Sequence, residues 1–167
     1  MKKVFLSLAL CSIALAASAQ LKSVDATYDY LHDTGIGAGV TFGVGEWIEG
    51  ADAFELAPRA TLYLPSEGAC FTLGADIHYL LPEFVEKLEI YPLSGLGFYH
   101  SSYTDYYRDS QQNLKKRNVS DNTLLFDIGG GARYHFHDNW AGFAEEKFQI
   151  VDGDIYNFFT VGISYTF

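Results

Sequence analysis

The stretch that decides the fold is the run Phe159-Thr-Val-Gly-Ile-Ser-Tyr-Thr-Phe167. Large apolar residues occupy 159, 161, 163, 165 and 167, with Thr160, Gly162, Ser164 and Thr166 between them. Unbroken period two means a β-strand with one apolar face. Exposed to water at a sheet edge, such a strand would invite aggregation. It makes sense as the closing strand of a barrel, its apolar face toward lipid, because only helices and closed barrels satisfy their backbone inside a bilayer.

The first residues agree with export. Lys2 and Lys3 form a positive n-region, Val4 to Ala17 is an apolar h-region, and Ala17-Ser18-Ala19 is a small-x-small cleavage site. Residues 1–19 are expected to be a signal peptide, with the mature chain starting at Gln20. The apolar run is short for a membrane-spanning helix, which needs about 20 residues. Cys11 follows Leu10 inside the apolar run, which does not suit a lipid-modified cysteine.

Residues 20–167 are enough for one domain. They retain one cysteine, Cys70, so no intramolecular disulfide is expected. Without Lys2 and Lys3, 9 basic residues face 21 acidic ones, a net charge of −12. That excludes a nucleic-acid partner, which needs a basic footprint. The chain holds 12 Tyr, 13 Phe and 16 Gly, and the combination of aromatic, glycine-rich and alternating sequence suits a membrane barrel.

Working back from the last strand, alternation predicts eight strands: about 22–31, 36–47, 54–64, 69–81, 88–102, 123–136, 140–150 and 155–167. Val24, Ala26, Tyr28 and Tyr30 share the outward parity of the first; Ile36, Ala38, Val40, Phe42 and Val44 that of the second, backed by glycines whose small size leaves room for bulky side chains on opposite walls. Pro58 removes one ladder hydrogen bond and suggests a bulge. Residues 103–122, polar and Tyr-rich, read as the longest loop. Trp47 and Trp140 fall near strand ends, where interfacial aromatic belts belong. The expected fold is all-β, an eight-stranded antiparallel up-and-down transmembrane β-barrel.

Over residues 20–167 the chain resembles the small porin-family, OmpA/OmpX-type outer-membrane barrels. The resemblance rests on the signal peptide, Tyr91-Pro-Leu-Ser-Gly-Leu-Gly-Phe98, Gly129-Gly-Gly-Ala-Arg-Tyr134, Asp138-Asn139-Trp140 and the last strand. It implies location in a bacterial outer membrane, and it makes Phe159, Val161, Ile163, Tyr165 and Phe167 the signal read by the barrel-assembly machinery. It also places the termini and the links after strands two, four and six in the periplasm, and the 103–122 segment outside the cell. It carries no shared catalytic residues. Glu146 departs from the pattern, since an acid on the lipid-facing parity is costly; a position near a rim or a register slip at a bulge would account for it.

Asp25, Asp29, Glu55, Arg59, Asp76, His78, Glu89, Asp127, Arg133, Glu145 and Lys147 are inward by parity. An eight-stranded barrel is just wide enough for side chains to fill, and charges packed there must pair or take water. Arg59, Arg133 and Lys147 are each expected within salt-bridge reach of an inward acid. The other reading of this set is a narrow polar conduit.

Four further groups invite a chemical reading. His100 and Ser102 share outward parity near the end of strand five, as a His-x-Ser pair does in lipid A deacylases, and a base beside a hydroxyl can activate a nucleophile; Asp105 or Asp109 would have to orient it, and Tyr103 stands where that family has Asn. His135-Phe-His137-Asp138 could chelate a metal, but reads better as an exposed turn. Asn118-Val-Ser120 fits a glycosylation pattern and reads as chance. Tyr106, Tyr107, Lys115, Lys116 and Arg117 could contact a surface ligand or lipopolysaccharide.

The sequence thus predicts a non-enzymatic outer-membrane barrel with a structural or surface-interaction role and a filled lumen. A narrow porin is the alternative, and a lipid A-modifying hydrolase comes third. No cofactor or metal is expected. The expected partners are outer-membrane lipid and lipopolysaccharide, the assembly machinery during insertion and an unidentified surface ligand, with the chain itself a monomer.

Overall fold

Alternation of apolar and polar side chains gives each strand one face for lipid and one for the interior, and a closed barrel uses both. The computed structural model describes residues 21–167 apart from 31–33, 46, 65–68, 83–84, 109–113 and 152, and the backbone alone at 69, 104–108, 114, 115 and 118. The segment 1–19 expected to be a signal peptide lies outside the described residues.

The strands are β1 (Leu21–Tyr30), β2 (Thr34–Gly43), β3 (Phe54–Tyr63), β4 (Ala69–Tyr79), β5 (Leu88–Arg108), β6 (Leu114–His137), β7 (Trp140–Val151) and β8 (Asp154–Thr166). Each pairs antiparallel with its sequence neighbour, and β8 returns to β1 to close the barrel. Closure removes the sheet edges that would otherwise be left unpaired. The decisive stretch lies here, with Phe159 opposite Tyr30 and Tyr165 opposite Val24.

Ile36, Leu62, Ile77, Leu96, Ile128, Phe148 and Ile163 are exposed around the outer wall. A continuous apolar belt of this kind is the lipid face of a transmembrane barrel. Aromatic pairs band the end that carries the chain termini: Phe54 against Tyr79 at 5.0 Å, Trp140 against Tyr165 at 5.1 Å, and Tyr165 against Phe167 at 5.4 Å. Exposed Tyr28, Tyr30 and Tyr156 lie toward the opposite end.

Several sequence expectations need correction. The second strand stops at Gly43, not 47, because Val44 starts a tight turn: Trp47 and Ile48 amides both donate to the Val44 carbonyl, and Ala51 N–H to Ile48. Trp47 therefore sits in the turn. Phe42, outward by parity, is only 4% exposed.

Pro58 makes no bulge. The β2–β3 register is the same on both sides of it, and the β3–β4 ladder is continuous, so the missing N–H interrupts pairing without shifting it. Pro92 behaves likewise against Gly130.

Residues 103–108 and 114–122 are strand rather than loop. β5 and β6 continue as a hairpin, pairing from Tyr103 with Val119 to Arg108 with Leu114. β4 stays with β5 only to Ser102, and β7 joins β6 only at Phe126, so this extension is a two-stranded ribbon beyond the barrel wall. Its polarity suggested a loop, but a ribbon wet on both faces is polar throughout. Its Tyr, Thr and Val content favours strand, and Asp105 stands opposite Arg117.

Glu146 is neither at a rim nor beside a bulge. It lies mid-strand in β7, with continuous register to Gly130 and Phe159.

Three glycines make room for aromatic rings on adjacent strands. A Cβ at Gly131 would lie 2.6 Å from the Tyr91 ring, one at Gly35 2.8 Å from Tyr63, and one at Gly162 closer still to the Phe143 ring.

Candidate functional site

The interior is the one place where the fold concentrates chemistry, and it is arranged in tiers along the barrel axis. In the tier nearest the termini, Glu55 accepts from Lys22 Nζ at 3.1 Å and from Arg133 at 3.2 Å. Arg133 also donates to Glu89 at 2.9 Å, and His135 Nε2 stands 3.2 Å from the same carboxylate. Lys22 was missed in the sequence because its parity matches outward Val24. A register shift between Leu21 and Ser23 breaks that parity, as bulges do when they re-aim a side chain.

The middle tier is centred on Glu145, 1% exposed. Arg59 clamps it with two bonds, 2.7 and 3.2 Å, in the bidentate geometry that favours Arg. Tyr91 on β5 reaches over Gly131 on β6 to place its hydroxyl 3.1 Å from Glu145 on β7. The three residues are one cross-strand row, so the glycine is what lets the ring cross. The Tyr91 ring is held from both sides, by His78 stacked at 4.5 Å and by the Arg133 guanidinium at 5.4 Å. His78 is fully buried, its ring nitrogens 3.9 Å from Glu55 and 3.9 Å from Glu145, with no hydrogen bond among the described residues.

In the tier beyond, Lys147 pairs with Asp76 and lies 3.6 Å from Glu145. Gln149 donates to Asp127 at 2.9 Å. Arg59, Arg133 and Lys147 thus each stand within reach of an inward acid.

Asp25 and Asp29 are brought to a different chemistry. Neither makes an ion pair among the described residues; hydroxyls bond them instead. Asp25 accepts from Ser23 at 3.1 Å, Thr41 at 3.0 Å and Ser164 at 2.6 Å; Asp29 from Thr61 at 2.7 Å and Thr160 at 2.5 Å. A buried carboxylate needs donors, and several neutral ones serve as well as one charge. The signal was present: Thr and Ser occupy the inward parity of β1, β2, β3 and β8. Buried Leu93, Leu125, Phe143 and Phe158, also missed, add an apolar part to the filling.

The space left over is small. Among Asp25, Thr41, Arg59, His78, Tyr91, Arg133, Phe143 and Glu145 no gap is wide enough for water. A cavity of about 50 Å³ lies beyond it, beside Asp29, Asp76 and Asp127. A cleft of about 290 Å³ opens at the termini end, beside Lys22, Glu89 and His135.

The remaining candidates are scattered. His100 Nδ1 is 2.7 Å from the Asn122 side-chain oxygen, and its ring tilts against Phe71 at 5.1 Å. A neutral amide therefore holds the position where a hydrolase would place an orienting acid, and Asp105 lies three residues beyond Ser102 along the ribbon. His135 turns to Glu89 while His137 is exposed past a bulge; no cluster of three or more metal-ligating side chains occurs among the described residues. Asn118 to Ser120 lie in β6. Lys116 and Arg117 are exposed on the ribbon, while the side chains of Tyr106, Tyr107 and Lys115 lie outside the described ones. Phe159, Val161, Ile163 and Phe167 face outward, with Tyr165 half-buried against Trp140.

No protein-family model matches the chain, and no curated protein is detectably similar to it in sequence. Solved structures do match. The N-terminal β-barrel domain of Pseudomonas aeruginosa OprF superposes with a TM-score of 0.69 at 18% identity, over 89% of this chain and 98% of that domain. A major outer-membrane protein of Thermus thermophilus gives 0.63 at 15% identity, over 88% and 99%. Neisserial surface protein A gives 0.55 at 14% identity, over 88% and 95%. Identities this low carry the architecture and not the activity. With the lipid-facing belt and the filled interior, they establish that this chain has the eight-stranded antiparallel fold of transmembrane outer-membrane β-barrels.

Proposed function

We propose that this chain is an integral outer-membrane protein with a structural or surface-interaction role and no transport pore. The observation that carries this reading is the middle tier, where the gap among Arg59, His78, Tyr91, Arg133 and Glu145 is too narrow for water. A porin would need that gap open. Residues 1–19 act as the export signal, and the outward row Phe159, Val161, Ile163, Tyr165 and Phe167 is the segment read by the assembly machinery. The termini end faces the periplasm. Lipopolysaccharide surrounds the opposite rim.

The ribbon of residues 103–108 and 114–119 is the contact surface. It stands clear of the wall, and both its edges carry backbone groups that no other described strand pairs. Such edges accept a partner strand, and exposed Lys116 and Arg117 favour an acidic or anionic one. Neisserial surface protein A, which shares the fold, is by its name a surface protein.

In cells exporting the chain, a membrane-impermeant amine reagent is expected to label Lys116 without lysis, and a K115R K116R variant is expected to lose most of that label. Labelling only after lysis would invert the orientation or remove the protein from the surface. Replacing 104–118 by a short Gly-Ser turn is expected to change barrel stability by no more than about 1 kcal/mol, because a two-stranded ribbon adds little to the sheet below it. Urea unfolding in vesicles measures this, and a loss of several kcal/mol would mean the ribbon belongs to the barrel's core.

A further inference from the structure

Among the described residues, the outer wall has a shallow hollow with an acid in its lining. Two neighbouring rows across the strands read Pro92, Gly130, Glu146, Phe159 and Ile90, Ala132, Ala144, Val161. Gly130, Ala132 and Ala144 form a low floor, with Ile90 and Phe159 beside it, and the space above it is about 480 Å³. Ala26, Ala38 and Ala60 form another row of small residues on the wall, across β1, β2 and β3, but no acid stands among them. Into this hollow, at mid-strand, points Glu146. An ionisable side chain at this depth needs a partner that acyl chains do not supply.

Half of that partner is present. Asn157 donates one amide hydrogen to Glu146 Oε1 at 3.0 Å. The second carboxylate oxygen and the second amide hydrogen have no partner among the described residues. Each copy of the chain therefore offers one acceptor and one donor side by side. That pairing is self-complementary, as a two-fold interface requires: Glu146 of each copy accepts from Asn157 of the other. The small floor residues permit the close approach of two walls on which association inside a bilayer depends.

We propose that this hollow is a two-fold interface between copies of the chain in the membrane, held by reciprocal Glu146–Asn157 hydrogen bonds over the Gly130–Ala132–Ala144 floor. This departs from the expectation of a monomer.

The test is energy transfer between donor- and acceptor-labelled copies, attached through exposed lysines, in phosphatidylcholine vesicles at falling protein-to-lipid ratio. Flotation with the vesicles and a far-ultraviolet β-sheet spectrum establish insertion and folding for every variant first. Wild type is expected to show transfer above random proximity that persists on dilution. Gly130→Leu fills the hollow; a Cβ there meets only the Tyr91 carbonyl oxygen, at 3.4 Å, so the fold accepts it. It is expected to weaken association at least tenfold. The double variant Glu146→Leu, Asn157→Leu keeps the wall apolar and removes the polar pair, and is expected to do the same. Leu62→Ala, on a distant strand, is expected to change nothing. Wild-type transfer no greater than random proximity overturns the proposal. So does association that Gly130→Leu and the double variant leave intact, because the contact would then lie elsewhere on the wall.

Discussion

Replacing Glu145 by leucine is expected to destabilise the folded barrel by about 3–5 kcal/mol, the usual cost of removing one partner from a buried ion pair. The loss is not that of one bond. Glu145 accepts two bonds from Arg59 and one from Tyr91, and it lies 3.6 Å from Lys147. Without it, the Arg59 guanidinium is left buried without its bidentate partner, its Nε already without a hydrogen bond. Arg59→Leu alone strands Glu145 in the same way. The double substitution removes both charges and is expected to cost less than either single one, since an apolar pair of similar volume often does as well as a buried salt bridge. Chemical unfolding in vesicles, read as a double-mutant cycle, gives the coupling directly. Additive losses would mean that the two residues act independently and that the middle tier is not one unit.

Gly131→Val is expected to cost about 1–3 kcal/mol, the range for forcing atoms into a filled core. The space a side chain would need is held by the Tyr91 ring, 2.6–2.8 Å from the ideal Cβ. That ring has nowhere to go: it is 0% exposed, stacked on His78 and capped by Arg133. Moving it would also carry its hydroxyl away from Glu145. Tyr91→Ala in the same chain opens the space, so the double variant is expected to lose less than the sum of the two single losses. Gly130→Val is the control, because its Cβ points into the outer hollow and meets no side chain. Equal losses at 130 and 131 would contradict the packing described here.

Much of this was legible in the sequence, because period two is a local property. Phe159 to Phe167 alone gives a strand and its two faces, and repeating the exercise gives eight strands and the inward charges. What parity cannot give is anything that depends on a partner strand. Lys22 is outward by counting and inward by a register shift against β2. Asp25 and Asp29 were legible as buried acids, but whether a cation or a set of hydroxyls faces them depends on register across β1, β2, β3 and β8. The glycine of the Tyr91–Gly131–Glu145 row has a reason only once three strands are aligned. The ribbon of residues 103–108 and 114–119 was misread for a related cause: a strand with water on both faces loses the apolar alternation by which strands are recognised. Glu146 was flagged correctly as out of place, yet both explanations offered for it assumed that it could not face lipid at mid-strand. Continuous ladders to Gly130 and Phe159 leave it there.

The most direct test of the filled interior is single-channel recording of the refolded protein in a planar lipid bilayer. Folded wild type is expected to be silent, since side chains fill the space among Arg59, Glu145 and Arg133 and leave no room there for water. Steady, reproducible conductance steps from the wild type, altered by substituting Arg59 or Glu145, would show an open path through that space and contradict the account.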